Sequence, residues 1–224
     1  MKVWLAWSSG KDSAYSLHVL RSMPDVEVVG LLTTVNEAFD RVAMHAVRRE
    51  LLLAQAAAAD LPLTIVNIPW PCPNESYEAA MATAMATARS QGVEGVAFGD
   101  LFLEDIRRYR EERLAPTGLA PLFPLWGRPT RALAEEMLAV GLRARLTCVD
   151  PRMLPASFVG RAFDRQLLAD LPAGVDPCGE NGEFHTFAWA GPMFRRPVPV
   201  RNGEVVMRDG FVFADLFEER DEAQ

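Results

Sequence analysis

Two short stretches carry residue types whose order could do chemistry. The first is Ser8-Ser9-Gly10-Lys11-Asp12-Ser13, which ends an apolar run and opens a segment with helical spacing. A helix start exposes unpaired N–H groups and the positive end of the helix dipole, so a small loop of this kind suits an anion such as phosphate. Gly10 lets the anion approach the backbone, Lys11 adds a full charge, and Asp12 could hold Mg²⁺ directly or through water, since that ion uses few carboxylates. A plain serine N-cap would explain part of the same pattern. The Walker A pattern fails, because its first glycine is absent and Asp12 follows Lys11, and the dinucleotide G-x-G-x-x-G fails too. The second stretch runs from Cys178 to Thr186 and sets Glu180 and Glu183 beside Gly179 and Gly182, with His185 just beyond. Carboxylates attract ammonium, and a nearby base could release nucleophilic ammonia from it. A hairpin turn with solvated acids is the alternative that the pattern alone leaves open.

The elements that must position these residues alternate. Residues 2–7 read as a buried strand and residues 12–23 as a helix with Ala14, Leu17 and Leu20 along one face. Residues 26–34 form a second strand, 41–59 a helix ended by Asp60-Leu61-Pro62, 63–68 a third strand, 75–91 a helix and 93–98 a fourth strand. The biased run "MATAMATA" lies inside the helix over 75–91 and reads as packing rather than as a repeat fold. Strands alternating with helices predict a parallel sheet with right-handed crossovers, whose ligands sit at the carboxyl ends of the strands. Past residue 128 the alternation loosens into a helix over 130–140, a strand over 143–149, a Gly/Pro-rich stretch, and a β-hairpin over 198–213 turning at Arg201-Asn202-Gly203. The expected organisation is an α/β, Rossmann-like domain over 1–128, a parallel sheet with flanking helices, and a smaller C-terminal α+β domain over 129–224.

Other residues fall near the same sheet edge. Gly99-Asp100 ends the fourth strand, where Asp100 could contact metal or nucleotide or simply cap a turn. Of Arg107, Arg108 and Arg110 on one predicted helix, at most one or two can face a site. Arg41 and His45, four apart on the expected second helix, could reach phosphate or carboxylate, although a surface arginine and a structural histidine fit the spacing better. The chain of 224 residues has a formal charge of −7, which gives nucleic acid no net attraction. No apolar run approaches the roughly 20 residues of a membrane span, no signal-peptide pattern opens the chain, and Cys72, Cys148 and Cys178 make no CxxC pair, so a cytoplasmic protein with reduced thiols is expected.

"SSGKDSA" resembles the PP-loop, S-G-G-x-D-S, of the N-type ATP pyrophosphatases, with Ser9 at the first glycine. Further blocks, "FDRVAMHAVRRELLLAQA", "FGDLFLEDIRRYREERL", "PLFPLWG" and "DPCGENGEFHTF", are similar in order and spacing to the diphthine–ammonia ligase family, over nearly the whole chain. That resemblance implies a fold of the PP-loop and HUP type, with ATP and Mg²⁺ as cofactors and an ATP-dependent amide synthesis. A substrate carboxylate attacks the α-phosphate, giving an acyl-adenylate and pyrophosphate, and ammonia then displaces AMP. It implies nucleotide binding by Ser8, Ser9, Gly10, Lys11, Asp12, Ser13, Gly99, Asp100 and, beside adenine, Thr33. Lys11, Asp12, Glu180, Glu183 and His185 take the catalytic roles, with Asp12 on the metal. The last block departs from the eukaryotic and archaeal form, E-G-G-E-Y-E-T: Asn181 replaces a glycine, Phe184 a tyrosine and His185 an acid. That form is associated with bacterial relatives. Replacing an acid with His185 removes a charge that would meet a trimethylammonium group, which suits a carboxylate acceptor other than diphthine. Free ammonium is the simplest nitrogen donor, and a homodimer is possible. A PP-loop enzyme that thiolates RNA and a nucleotide sensor without turnover are the competing readings.

Overall fold

The computed structural model describes residues 1–42 and 45–219. Its first sheet is built from β1 (Lys2–Ala6), β2 (Glu27–Asn36), β3 (Arg41–Val42), β4 (Leu63–Ile68), β5 (Gly95–Ala97) and β6 (Ala120–Leu122). The strands β4, β2, β1, β5 and β6 pair in parallel, in that order, and β3 adds a short antiparallel rung to the end of β2. Side chains alternate across this sheet as a period of two requires. Leu5 packs with α1 (Lys11–Ser22) and α2 (Arg49–Ala59) on one face, while Trp4 packs with α3 (Asn74–Ser90) on the other. Ala14, Leu17 and Leu20 of α1 are fully buried, the face their spacing predicted. Burying each leucine contributes about 2 kcal/mol. The helix α4 (Glu104–Leu114) leads from β5 to β6 and forms one wall of the cleft described below.

The second sheet is antiparallel. It comprises β7 (Arg143–Val149), β8 (Ala162–Phe163), β9 (Phe184–Ala190), β10 (Val200–Arg208) and β11 (Phe211–Glu218), with α5 (Thr130–Ala139) and α6 (Arg165–Asp170) beside it. The α/β class with a parallel sheet, flanking helices and a second, smaller α+β part is therefore what the chain adopts. No helix among the described residues is long and apolar enough to cross a membrane.

Three expectations need correction. The helix over 41–59 begins at Arg49; residues 43–44 lie outside those described, Arg41 belongs to β3, and His45 sits in a turn. Long-range ion pairs outweigh helix propensity there, because Arg41 and Arg48 both bind Asp215 of β11, at 2.8 and 2.5 Å. Arg41 and His45 thus do not share a helical face. The hairpin turns at Asp209-Gly210, where φ is 51° and 84°, and not at Arg201-Asn202-Gly203, which lies inside β10. Asn202 instead donates to the Gly160 carbonyl at 3.0 Å, and Gly203 leaves room for the Phe217 ring, which a Cβ would meet at 2.4 Å. The short strand β6, hidden by Pro121, was not expected.

Candidate active site

The loop of Ser8 to Ser13 connects β1 to α1, and its fold is fixed from several sides. Gly10 is the N-cap, in extended conformation with no side-chain cap, so the serine-cap alternative is not used. Instead the Ser13 hydroxyl donates to the Gly10 carbonyl at 3.0 Å, and Gly10 N donates to Ser8 Oγ at 3.3 Å. Ser9 adopts φ 70°, a region that residues other than glycine seldom enter. It is held there because its carbonyl accepts from Ala188 N at 2.9 Å and from Gln55 Nε2 at 3.0 Å. Among the described residues its hydroxyl is buried without a partner. Gly99 backs the start of α1, where a Cβ would lie 3.2 Å from Asp12 C and Ser13 N. The first-turn amides of a helix have no intrahelical acceptor, so those of Asp12 and Ser13 remain suited to an anion.

The second sheet reaches into this loop. Lys11 N donates to Thr186 Oγ1 at 3.0 Å, and Lys11 Nζ donates to Asp12 Oδ1 and Oδ2, at 3.0 and 2.8 Å, and to the Cys178 carbonyl. The ammonium also lies over the rings of Phe163 and Phe184, at 5.6 and 5.4 Å. With 2% of its side chain exposed, Lys11 ties the two halves together as well as lining the cleft. Burial is the largest single influence and lowers its pKa, but the charge and hydrogen bond of Asp12 together with the charges of Cys178 and Glu180 outweigh it, and the net shift is upward. Burial raises the Asp12 carboxyl, against the pull of Lys11.

The acidic loop divides its carboxylates between two tasks. Glu183 is fully buried and accepts from Asp176 N at 2.9 Å, Asn181 N at 3.0 Å and Asn181 Nδ2 at 3.0 Å. Asp176 accepts from Cys178 N at 3.2 Å and Glu180 N at 3.0 Å. Both therefore shape the loop, and Glu183 is not on the cleft wall. Glu180 is on it, accepting from Leu101 N at 2.7 Å. Burial, then repulsion from Asp12 and Asp100, pushes its carboxyl up to about 7 against the Leu101 hydrogen bond and the charge of Lys11. His185 lies against His45 with ring centroids 4.6 Å apart and planes tilted by 42°, and His45 Nδ1 is 3.3 Å from the Thr186 carbonyl. Burial and the Lys11 charge push His185 down to about 4, and burial with the neighbouring His185 lowers His45. Both imidazoles are neutral near pH 7.

These groups border one cleft of about 900 Å³ at the carboxyl edge of the parallel sheet. Ser8, Lys11, Asp12, Ser13, Thr33, Gly99, Asp100, Glu180 and His185 line it, whereas Ser9, Gly10 and Glu183 stand behind the wall. The Thr33 hydroxyl donates to the Trp7 carbonyl, bracing the strand that leads into the loop. Asp100 is bound by Arg110, at 2.6 and 3.2 Å, and Arg110 lies over Phe98. Of the three arginines considered, Arg110 lines the cleft; Arg107 instead stacks on Phe123 and Trp126 and pairs with Glu111. Sequence reasoning missed Gln55, whose amide joins Trp7, Ser9 and Ala188. It also missed an apolar wall made by Tyr77, Met81 and Met85 of α3 with Ile106 and Tyr109 of α4. The signal was present in the fourfold spacing of Tyr77, Met81 and Met85. No cluster of three or more His, Cys, Asp or Glu among the described residues could hold a metal ion. Asp12, 27% exposed beside the helix start, fits an ion that takes its remaining ligands from phosphate oxygens and water.

The diphthamide synthase N-terminal domain matches residues 1–119 and the diphthamide synthase C-terminal domain matches residues 129–216. The diphthine–ammonia ligase of Homo sapiens is 28% identical over 241 residues, covering 96% of this chain and 89% of the human protein. That of Danio rerio is 35% identical over 130 residues, covering 55% of this chain and 51% of its own. Among solved structures, the U34-tRNA thiolase NcsA of Methanococcus maripaludis overlaps 63% of this chain and 58% of its own, with a TM-score of 0.38 and 15% identity. With its first 119 residues matched by one domain and residues 129–216 by the other, the chain belongs to the diphthamide synthase family.

Proposed function

We propose that this protein is an ATP-dependent amide ligase that adenylates a carboxylate and transfers ammonia to it, with Mg²⁺, and that its acceptor is a carboxylate other than diphthine. The observation that carries this reading is that the helix start at Lys11 and Asp12 and the carboxylate of Glu180 border one cleft. In the first step the acceptor carboxylate attacks the α-phosphate of ATP, and the bond to the β-phosphate breaks. The amides of Asp12 and Ser13 and the Ser8 hydroxyl, which accepts from Gly10 N and keeps its own proton, face the charge that builds on the departing pyrophosphate. Fixed donors of this kind are worth about 10² to 10³ in rate each. Mg²⁺, when bound, supplies further charge neutralisation at the phosphates, with Asp12 as its protein ligand. In the second step ammonia attacks the acyl carbon, AMP leaves, and Glu180 takes the proton that the nitrogen loses, a task suited to a carboxyl near 7. Neutral His45 and His185 offer no negative charge to a cationic acceptor, which favours an uncharged or anionic one. Residues 1–128 bind ATP in this reading and residues 129–224 present the acceptor.

The test is release of pyrophosphate and AMP from ATP, Mg²⁺ and ammonium with a panel of carboxylates. Acceptor-dependent release, lowered about a hundredfold or more in Glu180→Gln, is expected. ATP binding without pyrophosphate under every condition would favour the sensor reading instead.

A further inference from the structure

The open edge of the second sheet is used neither by the fold nor by the proposed reaction. Among the described residues β10 pairs with β11 on one side only. Edge strands are usually blunted, because their free N–H and C=O groups template further pairing. Here residues 204–208, Glu-Val-Val-Met-Arg, expose three apolar side chains: Val205 by 60%, Val206 by 40% and Met207 by 71%. Val205 and Met207 lie opposite Ala214 and Val212, which are buried, so they extend the core face of the sheet past its cover. Val206 lies on the other face with Arg208, and Glu204 precedes them at the end of the bulge that the ladder makes between Asn202 and Val205. Among the described residues neither of these charges has an ion-pair partner; Arg208 rests over the Phe39 ring at 5.1 Å. Four residues apart on one strand, about 13 Å, they cannot pair with each other.

The hairpin fixes which backbone groups face outward. The turn at Asp209-Gly210 has positive φ at both central residues and is closed by the pair Arg208–Phe211. Opposed pairs alternate between bonded and unbonded along an antiparallel ladder. Arg208 and Val206 therefore direct their N–H and C=O toward β11, and Val205 and Met207 direct theirs to the open edge. An identical strand added antiparallel about a twofold axis at Val206 brings Val205 opposite the partner's Met207 as a hydrogen-bonded pair. Val206 then meets the partner's Val206, and Glu204 meets the partner's Arg208, twice by symmetry. Moving the axis to Val205 sets Glu204 against the partner's Val206, and moving it to Met207 sets Arg208 against the partner's Val206. The axis at Val206 alone matches both charges.

We propose that two copies of this chain associate through antiparallel pairing of their β10 edges about Val206, joining two five-stranded sheets into one. The seam is five residues per strand, smaller than the about 800 Å² per partner of a standard stable interface, so the dimer dissociates on dilution. Sedimentation velocity of the full chain over a wide range of concentration reads this directly, with a mass that climbs from monomer to dimer. Glu204→Arg and Arg208→Glu each place like charges opposite one another at two contacts, and each should weaken association about tenfold or more. The double variant Glu204→Arg/Arg208→Glu should restore it. Met207→Pro removes an N–H that faces only the edge, a position where proline is tolerated, and should leave a folded monomer by circular dichroism. A wild type that stays monomeric at every concentration overturns the proposal. So does a dimer indifferent to the single reversals, or one that the double variant does not rescue.

Discussion

Two loops meet at the cleft and are built on opposite principles. The phosphate loop takes its donors from the end of regular structure: α1 leaves its first amides unpaired, and the loop is held by bonds from outside itself, from Thr186, Ala188 and Gln55. The loop of residues 176–183 has no helix or strand to supply such order, so its own carboxylates accept from its own amides. In the first loop the backbone is the chemistry and side chains support it. In the second, two acids support the backbone and one, Glu180, is left for the cleft. Carboxylates three apart in sequence thereby acquire different work through burial and hydrogen bonding.

Substitutions at those two acids break the comparison most directly. Glu183→Ala removes three hydrogen bonds from a fully buried group and leaves the donors unpaired. Bonds to charged groups count for about 1.5 to 3 kcal/mol each and are not additive, so a loss of about 4 kcal/mol is expected in urea denaturation. Glu180→Gln should leave stability near pH 5 little changed and strike turnover instead. Equal destabilisation by both variants would mean that the division of labour between them is wrong.

The pH dependence of stability sharpens the same division. Glu180 has a folded pKa near 7 against an ordinary 4.5, so between those values the folded state binds the extra proton and stability falls as pH rises. His185 has a folded pKa near 4 against 6.5, so there the unfolded state binds the extra proton and stability rises with pH. The two slopes oppose each other in the wild type. In Glu180→Gln the rise due to His185 should emerge between pH 4 and 6.5, and in His185→Gln the fall due to Glu180 between pH 4.5 and 7. With both groups partly exposed, each change is on the order of 1 kcal/mol. Parallel curves for all three proteins would show that these groups do not sense the folded site.

Much of the parallel sheet was legible because its signals are local. The apolar run before Ser8 and the spacing of Ala14, Leu17 and Leu20 depend on neighbours a few residues away. The failures involve partners far along the chain. Asp215 holds Arg41 and Arg48 out of a helix from more than 160 residues away. Gly203 and Asn202, a strong turn signal in isolation, serve Phe217 and Gly160 instead. At the site, residue types identified Glu180 and Glu183 together but could not separate them, since the separation rests on which backbone amides each one meets. Lys11 was read as a charge for phosphate; its ammonium also binds the carbonyl of Cys178, a contact no spacing encodes.

Ser9 gives the smallest effect and the finest comparison within the phosphate loop. Its φ of 70° costs about 1 kcal/mol for a residue with a Cβ, and its buried, unpartnered hydroxyl costs about 1 kcal/mol more. Glycine relieves both, while losing about 0.5 to 1 kcal/mol through the greater freedom of the unfolded chain. Ser9→Gly should therefore stabilise the nucleotide-free protein by about 1 kcal/mol, and Ser9→Ala, which keeps the strained backbone, by less. Because Ser9 stands behind the cleft wall, ATP affinity by calorimetry should change less than about twofold in either variant. A marked loss of affinity in both would place the hydroxyl on the bound phosphate, and the serine at the first glycine of the motif would then be a ligand in its own right.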